Sequence, residues 1–472
     1  MTSDVLELEL HAVARLIRRR KVSAVELVQS SVARAKAWQP RINAFISIDG
    51  ESALKEAHRL DRQLARGEAI GPLHGVPLAH KDMFSKRGQT SSGGSAIRRE
   101  WRAPRDSTVM RKLEAAGAIA IGRLNMSEFA AHPTGENEHF GACRNPWDSS
   151  YVTGGSSSGS GAAVAARIVF GALGSDTGGS IRLPAALNGV CGLMPSYGRV
   201  SLYGAMARSW SLDHIGTLTR SAADSALLLE AIAGHDPRDG NSVAIPVPKV
   251  RAALRQGIEA LRIGVPRLPK EIELAPAVAK AWAASRAVLK ALGAVLVPVT
   301  LPDLAAMYRH CEIIVRSEAA SMHGGWMREK PQDYSAYMRA RIEGGFFIPA
   351  TWYIQALSQR GPTLAAFLER VMSKCDVLHL PTVPIQVPSV AETQLPSTDP
   401  KLLATLGGMA ALTRPFNYLG LPAMSLPCGF DENGLPLAFQ LVGRPFDEAS
   451  VVRVAHAFQS ATDWHRRRPP LP

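Results

Sequence analysis

Several things are scarce in this 472-residue chain, and each scarcity removes a class of protein. The five cysteines, Cys143, Cys191, Cys311, Cys375 and Cys428, stand singly with no C-x-x-C pair. That spacing offers neither a zinc site nor a disulfide framework, and it suits a reducing cytoplasm, the expected location. The opening Met1-Thr2-Ser3-Asp4-Val5-Leu6-Glu7 carries acids where a secretory signal needs a basic start and an apolar run. No stretch approaches the roughly 18 uninterrupted apolar residues of a membrane-spanning helix. Low-complexity tracts and internal repeats are missing too, so neither a disordered arm nor a solenoid is expected.

What is present is an ordinary globular balance, 46% apolar and 20% charged, with a large excess of base. The net charge is +13, and basic clusters occur at Arg18-Arg19-Arg20-Lys21, around Arg98-Arg99 with Arg102 and Arg105, and at Arg466-Arg467-Arg468. Nucleic-acid binding would need more than charge. No basic stripe is interleaved with aromatics and no zinc-finger or RNA-binding motif occurs, so no nucleic-acid partner is expected.

Apolar spacing gives the coarse organisation. Ser23-Ala24-Val25-Glu26 has the form of a capping box, and Val25, Val28, Val32 and Ala35 mark one face of a helix that Pro40 should close. Gly75-Val76-Pro77-Leu78-Ala79 reads as a strand delivering His80-Lys81-Asp82. A helix over 109–116 then leads into a strand at Ala118-Ile119-Ala120-Ile121. Further strands are expected at 263–265, 295–297 and 377–380, with helices at 275–292 and 360–373. Such alternation favours an α/β fold with helices over a largely parallel sheet. No linker separates domains. The chain reads as one domain over 1–472, with an N-terminal helical segment 5–70, a core 71–235 and a variable region at about 300–360.

Two loops of small residues stand out. Gly154-Gly155-Ser156-Ser157-Ser158-Gly159-Ser160-Gly161 should hold neither strand nor stable helix. It runs into Ala162-Ala163-Val164-Ala165-Ala166 and then to Gly174-Ser175-Asp176-Thr177-Gly178-Gly179-Ser180. Tight turns explain glycine in general. Gly178-Gly179-Ser180, however, follows a strand end and offers successive backbone amides, a nest for an oxyanion, with a hydroxyl at its end. A serine needs a base. Ser157 lies at the centre of a G-x-S-x-G match, but no strand clearly precedes it and no histidine stands in a matching context; His214 and His456 are unremarkable. Lys81, at the end of an apolar run, is the better base, because burial lowers the pKa of an amine.

Taken together, these segments resemble the amidase signature family. The matching pieces are Gly75-Val76-Pro77-Leu78 with Lys81-Asp82, Asn125-Met126-Ser127-Glu128-Phe129-Ala130, Thr134-Gly135-Glu136-Asn137 and Asn145-Pro146-Trp147-Asp148. The two serine loops as far as Ile181-Arg182, Gly420-Leu421-Pro422-Ala423 and Leu426-Pro427-Cys428-Gly429 complete the set. The resemblance implies a large mixed twisted sheet covered by helices on both faces. It also implies a triad of Ser180 as nucleophile, Ser156 as bridging serine on a cis peptide and Lys81 as base. Backbone amides of Thr177, Gly178, Gly179 and Ser180 would hold the oxyanion. Asp176 is read as a brace of that loop, Ser157 as a supporting residue, and Arg182 as structural. No metal or other cofactor is implied, and the partner is a small-molecule amide or carbamate handled by a monomer or homodimer.

The family includes simple amidases, carbamate- and urea-cleaving members and the glutaminase subunit of tRNA-dependent amidotransferases. That subunit normally has an aspartate a few residues before its N-L-A-G-L-P stretch, for binding glutamine. The segment here, Ala410 to Gly420, contains no acid, which favours a stand-alone hydrolase. Met307, Tyr308, Phe346, Phe347, Trp352 and Tyr353 could line an apolar pocket, although aromatics at such density are more often core; where they line one, aryl or long acyl amides fit it better than small polar ones.

Overall fold

A computed structural model describes residues 5–68, 71–394 and 399–470. Met1–Asp4 of the signal-peptide reading, and residues 69–70 of the expected N-terminal segment, lie outside them. Among the described residues no helix is long and apolar enough to cross a membrane.

Eleven strands form one sheet: β1 (Phe45–Ile48), β2 (Pro77–Lys81), β3 (Ile119–Leu124), β4 (Gly171–Asp176), β5 (Cys191–Met194), β6 (His214–Thr219), β7 (Arg262–Arg267), β8 (Val295–Thr300), β9 (Val377–Pro381), β10 (Ala423–Phe430) and β11 (Pro436–Val442). Their order is β1-β3-β2-β4-β6-β5-β10-β11-β9-β7-β8. The pairs β3–β2, β2–β4, β9–β7 and β7–β8 are parallel, whereas the other six are antiparallel. The sheet is therefore mixed rather than largely parallel. The helix–strand alternation read from sequence belongs to the two ends, while the centre is antiparallel strands with weaker patterning.

Both faces are covered. Leu78 of β2 and Leu173 of β4 join one apolar cluster, and their neighbours Ala79 and Ala172 join another, as a period of two requires. The helices Leu10–Arg18, Ala222–Ile232 and Glu448–Ser460 pack into the first cluster; Ala24–Ile42 and Ser158–Ala165 pack into the second.

The capping box forms as its spacing predicts. Ser23 N donates to Glu26 Oε2 (2.8 Å) and Glu26 N to Ser23 Oγ (3.1 Å). Pro40 does not close the helix, which continues to Ile42 and ends on Asn43 in a left-handed conformation (φ 46°). Asn43 Nδ2 there donates to Phe140 O (2.8 Å), and Ile42 is fully buried, so tertiary contacts carry the last turn past the proline. The region expected to vary, 300–360, folds chiefly as the helices Leu304–Glu329, Ala336–Gly345 and Ala350–Ser358.

Candidate active site

Parallel pairing of β2 with β4 brings both chains out at the same edge of the sheet, where such sheets place ligands. Lys81 is the last residue of β2, and Asp176 the last of β4. Between them the glycine-rich octet passes through a cis Gly155–Ser156 peptide into the helix Ser158–Ala165. That helix starts inside the octet, contrary to the reading of these residues as unable to hold one. An added Cβ on Gly159 would lie 2.3 Å from Ala44 O and 2.6 Å from Asn125 N; one on Gly161 would lie 2.9 Å from Pro184 O. The glycines allow the backbone of neighbouring segments to close around the helix, and that packing overrides their low propensity.

Lys81 is completely buried, and its Nζ lies 2.7 Å from Ser156 Oγ, 2.8 Å from Ser175 Oγ and 3.1 Å from Ser157 Oγ. Burial pushes the amine down to about 7, against the opposing pull of the Asp213 and Asp176 carboxylates. Ser157 Oγ donates to Ser175 O (3.3 Å), leaving its oxygen to accept from Lys81. The α/β-hydrolase reading of Ser157 fails on this ground: it faces a lysine and β4, with no histidine partner among the described residues. The two serine loops are joined at the backbone by Ser157 N donating to Ser180 O (3.2 Å).

Asp176 braces the second loop. Its carboxylate accepts from the backbone amides of Gly179 (2.7 Å), Ile181 (3.1 Å) and Arg182 (3.3 Å), from Arg182 Nε (3.1 Å) and from Asn417 Nδ2 (2.8 Å). Burial opposes its charge, but the Arg182 guanidinium and the hydrogen bonds outweigh burial and hold the carboxyl well below its usual range. Arg182 is itself fully buried and also donates to Gln440 Oε1, Thr413 O and Asn417 Oδ1. Its contacts tie the second loop to β11 and to the helix Arg414–Leu419.

One expectation changes here. The Gly179 amide, expected as an oxyanion donor, is already committed to Asp176 because the carboxylate folds back under the turn. The amides of Thr177, Gly178 and Ser180 have no protein acceptor among the described residues. Thr177, Gly178 and Ser180 line a cavity of about 730 Å³.

The sequence reading also missed contributors. Ser175 completes the hydroxyl cage of Lys81; as part of a quoted motif it was visible but had no assigned role. Asp213, raised by burial to about 6 despite donation from Thr177 Oγ1 (2.5 Å), lies in the loop before β6 with no local signal. Thr413 Oγ1 donates to Gly178 O (2.8 Å), a contact made across the fold. The aromatic-rich region supplies little of the cavity lining, and only part of it is core. Of the six apolar residues named, only Tyr308 lines the cavity. Met307 is in the core, Tyr353 donates to Glu318 Oε1, and Phe346, Phe347 and Trp352 are exposed. Arginines occupy the wall instead: Arg208, Arg316, Arg341 and Arg414.

Comparison with known proteins agrees with this architecture. The Amidase family model matches residues 26–452. A glutamyl-tRNA(Gln) amidotransferase subunit from Moorella thermoacetica is 40% identical over 491 residues, covering 99% of each chain. Among solved structures, 6-aminohexanoate cyclic dimer hydrolase superposes with a TM-score of 0.91 at 29% identity, over 99% of this chain and 100% of that one. A structure from work on a vestigial protein complex and the origins of an s-triazine catabolic enzyme gives 0.89 at 34% identity, over 96% and 98%. Fold and family together define the class, a hydrolase of amides. The chain belongs to the amidase (amidase signature) family.

Proposed function

We propose that the protein hydrolyses amide C–N bonds through an acyl-enzyme on Ser180, with Ser156 relaying protons to and from Lys81. The observation that carries the reading is the buried Lys81 amine, held near neutrality and 2.7 Å from Ser156 Oγ. Two N–H groups of the neutral amine are directed to Ser157 and Ser175, and its lone pair is left to receive the Ser156 proton. Ser156 then takes the proton of Ser180 as the Ser180 Oγ–carbonyl carbon bond forms. The carbonyl oxygen gains negative charge against the amides of Thr177, Gly178 and Ser180. As the C–N bond breaks, Ser156 gives a proton to the leaving nitrogen and is resupplied by Lys81. Water attacks the acyl-enzyme by the same relay, releasing the acid and restoring Ser180.

A carbamate presents the same carbonyl with nitrogen as leaving group, so carbamate cleavage is a second activity of the same site. The amidotransferase reading has its own support in the 40% identical relative, which is named for its place in that enzyme. Against it stands the acid-free segment 410–420, whose Ala410 and Arg414 both line the cavity.

The test is partition of the intermediate. Amides that share an acyl group but differ in leaving amine are hydrolysed in the presence of hydroxylamine. A common acyl-enzyme gives one hydroxamate-to-acid ratio for all of them; a ratio that changes with the amine excludes it. Turnover of glutamine alone, and only with added partner proteins, would favour the amidotransferase reading.

A further inference from the structure

The wall of the cavity beside Ser180 holds charges that catalysis does not use. Four arginines line it, Arg208, Arg316, Arg341 and Arg414, together with Glu128, Glu136, Glu138 and Glu312. Pairing decides what these charges are free to do. Glu312 meets Arg414 (2.6 Å), Arg341 (3.0 Å) and Arg316 (3.5 Å). Burial works against its charge, but those arginines prevail and hold its carboxyl at about 2. Glu128 is occupied by Ser95, His139 and the Ser335 amide, and Glu136 by Arg144. Glu138 is exposed.

Arg208 is different. It is 3% exposed, and the only side-chain partner of its guanidinium among the described residues is Met338 Sδ, 3.9 Å from Nη1. A thioether is a weak acceptor and carries no charge. The Asp213 carboxylate accepts the Arg208 backbone amide (2.7 Å), not the guanidinium. Burial lowers Arg208 only to about 10, so the group is a cation at neutral pH. Glu312 and Asp213 act on it only from a distance, and a buried cation in direct contact with no carboxylate is costly to keep, a cost relieved when an anion enters. Arg414 brings positive charge up to the nucleophile loop: a Cβ added to Gly178 would lie 2.9 Å from Arg414 Nε.

We propose that Arg208, with Arg341 and Arg414 beside it, receives a carboxylate of the substrate, so that the enzyme acts on amides that also carry an acid group. The proposal rests on the hydrolase reading of the same cavity. Three guanidiniums share one protein carboxylate, Glu312, in direct contact, while Arg208 touches no carboxylate among the described residues. An acid at this place completes the pairing, and planar guanidinium forks suit it geometrically. The carboxylate also fixes which amide of a larger molecule meets Ser180.

The experiment compares matched substrates on the full-length enzyme. Succinamic and glutaramic acids are monoamides carrying a carboxylate; methyl succinamate and butyramide are uncharged counterparts. A charge-assisted pair predicts kcat/KM about 10–100-fold higher for the acids. Glutarate should inhibit competitively and glutaramide should not, at equal concentration. In Arg208→Gln the acid-to-neutral ratio should fall by at least about tenfold, chiefly through KM, with partial recovery in Arg208→Lys. Melting curves verify that the variants fold; where one does not, the wild-type ratio and the glutarate inhibition still decide. Fluorophosphonate labelling of Ser180 separates the two claims. An enzyme that is labelled yet turns over neutral amides as well as the acids, or a ratio unmoved in Arg208→Gln, overturns the carboxylate site and leaves the hydrolase intact. No adduct on Ser180 overturns the hydrolase reading and this proposal with it.

Discussion

At the scale of single residues, the proposed mechanism turns on the protonation of Lys81. An amine acts as a general base only when neutral, and burial brings this one to about 7. Below that pH it holds its proton and the relay is blocked; above it the lone pair is free. On any uncharged amide, kcat/KM should therefore rise with pH through an inflection near 7. Asp213 raises the Lys81 pKa through its charge. Asp213→Asn removes that charge, so the ascending limb should move to lower pH; a limb that stays in place would show that the carboxylate does not act on Lys81. Lys81→Ala should lower kcat by about 10²–10⁴-fold. Ser180 and Lys81 were legible as a candidate pair from their own motifs, whereas the roles of Ser156 and Asp176 came only with the family resemblance. Arg208, Asp213 and Thr413 were not. Their roles arise from contacts between segments distant in the chain, and nothing in their immediate neighbours distinguishes them from surface residues.

At the scale of elements, the turn from β4 into the helix Arg182–Asn188 holds Ser180, the proposed nucleophile, in place. Asp176 binds three amides of that turn, and Arg182 neutralises it in the dry interior. Removing one member of such a pair strands the other, so Arg182→Met should cost about 3–5 kcal/mol in urea unfolding. Glycines give a paired test. Gly159→Ala sets a Cβ against the Ala44 and Asn125 backbone, where neither neighbour can yield, and should destabilise by about 1–3 kcal/mol. Gly325→Ala, in the helix Leu304–Glu329 with nothing within 4 Å of the new Cβ, should stabilise by about 0.5–1 kcal/mol. Equal effects at the two sites would count against close packing as the reason for the octet's glycines. Strands and helices with strong local pattern were legible: β7, β8, β9 and the helix Pro276–Ala291 lie close to where apolar spacing puts them. The start of the helix Ser158–Ala165 was not, since propensity there points the wrong way and close packing decides.

At the scale of the whole molecule, one sheet runs from β1 to β8 without a break, so no strand group can leave it without exposing ladder edges. We propose on this basis that the chain unfolds as one domain. Far-ultraviolet circular dichroism and tryptophan fluorescence should give coincident urea transitions, and separated midpoints would contradict a single cooperative unit. The mixed character of the sheet was implied by family resemblance and not by alternation, because alternation reports parallel ends and is silent about an antiparallel centre. The central claim is that Ser180 is the nucleophile. Intact-mass and peptide mass spectrometry after treatment with a fluorophosphonate tests it most directly. The predicted result is one adduct per chain, on Ser180, absent in Ser180→Ala and slowed in Lys81→Ala. An adduct on Ser157 or another serine, or none at all while amides are still hydrolysed, would contradict it.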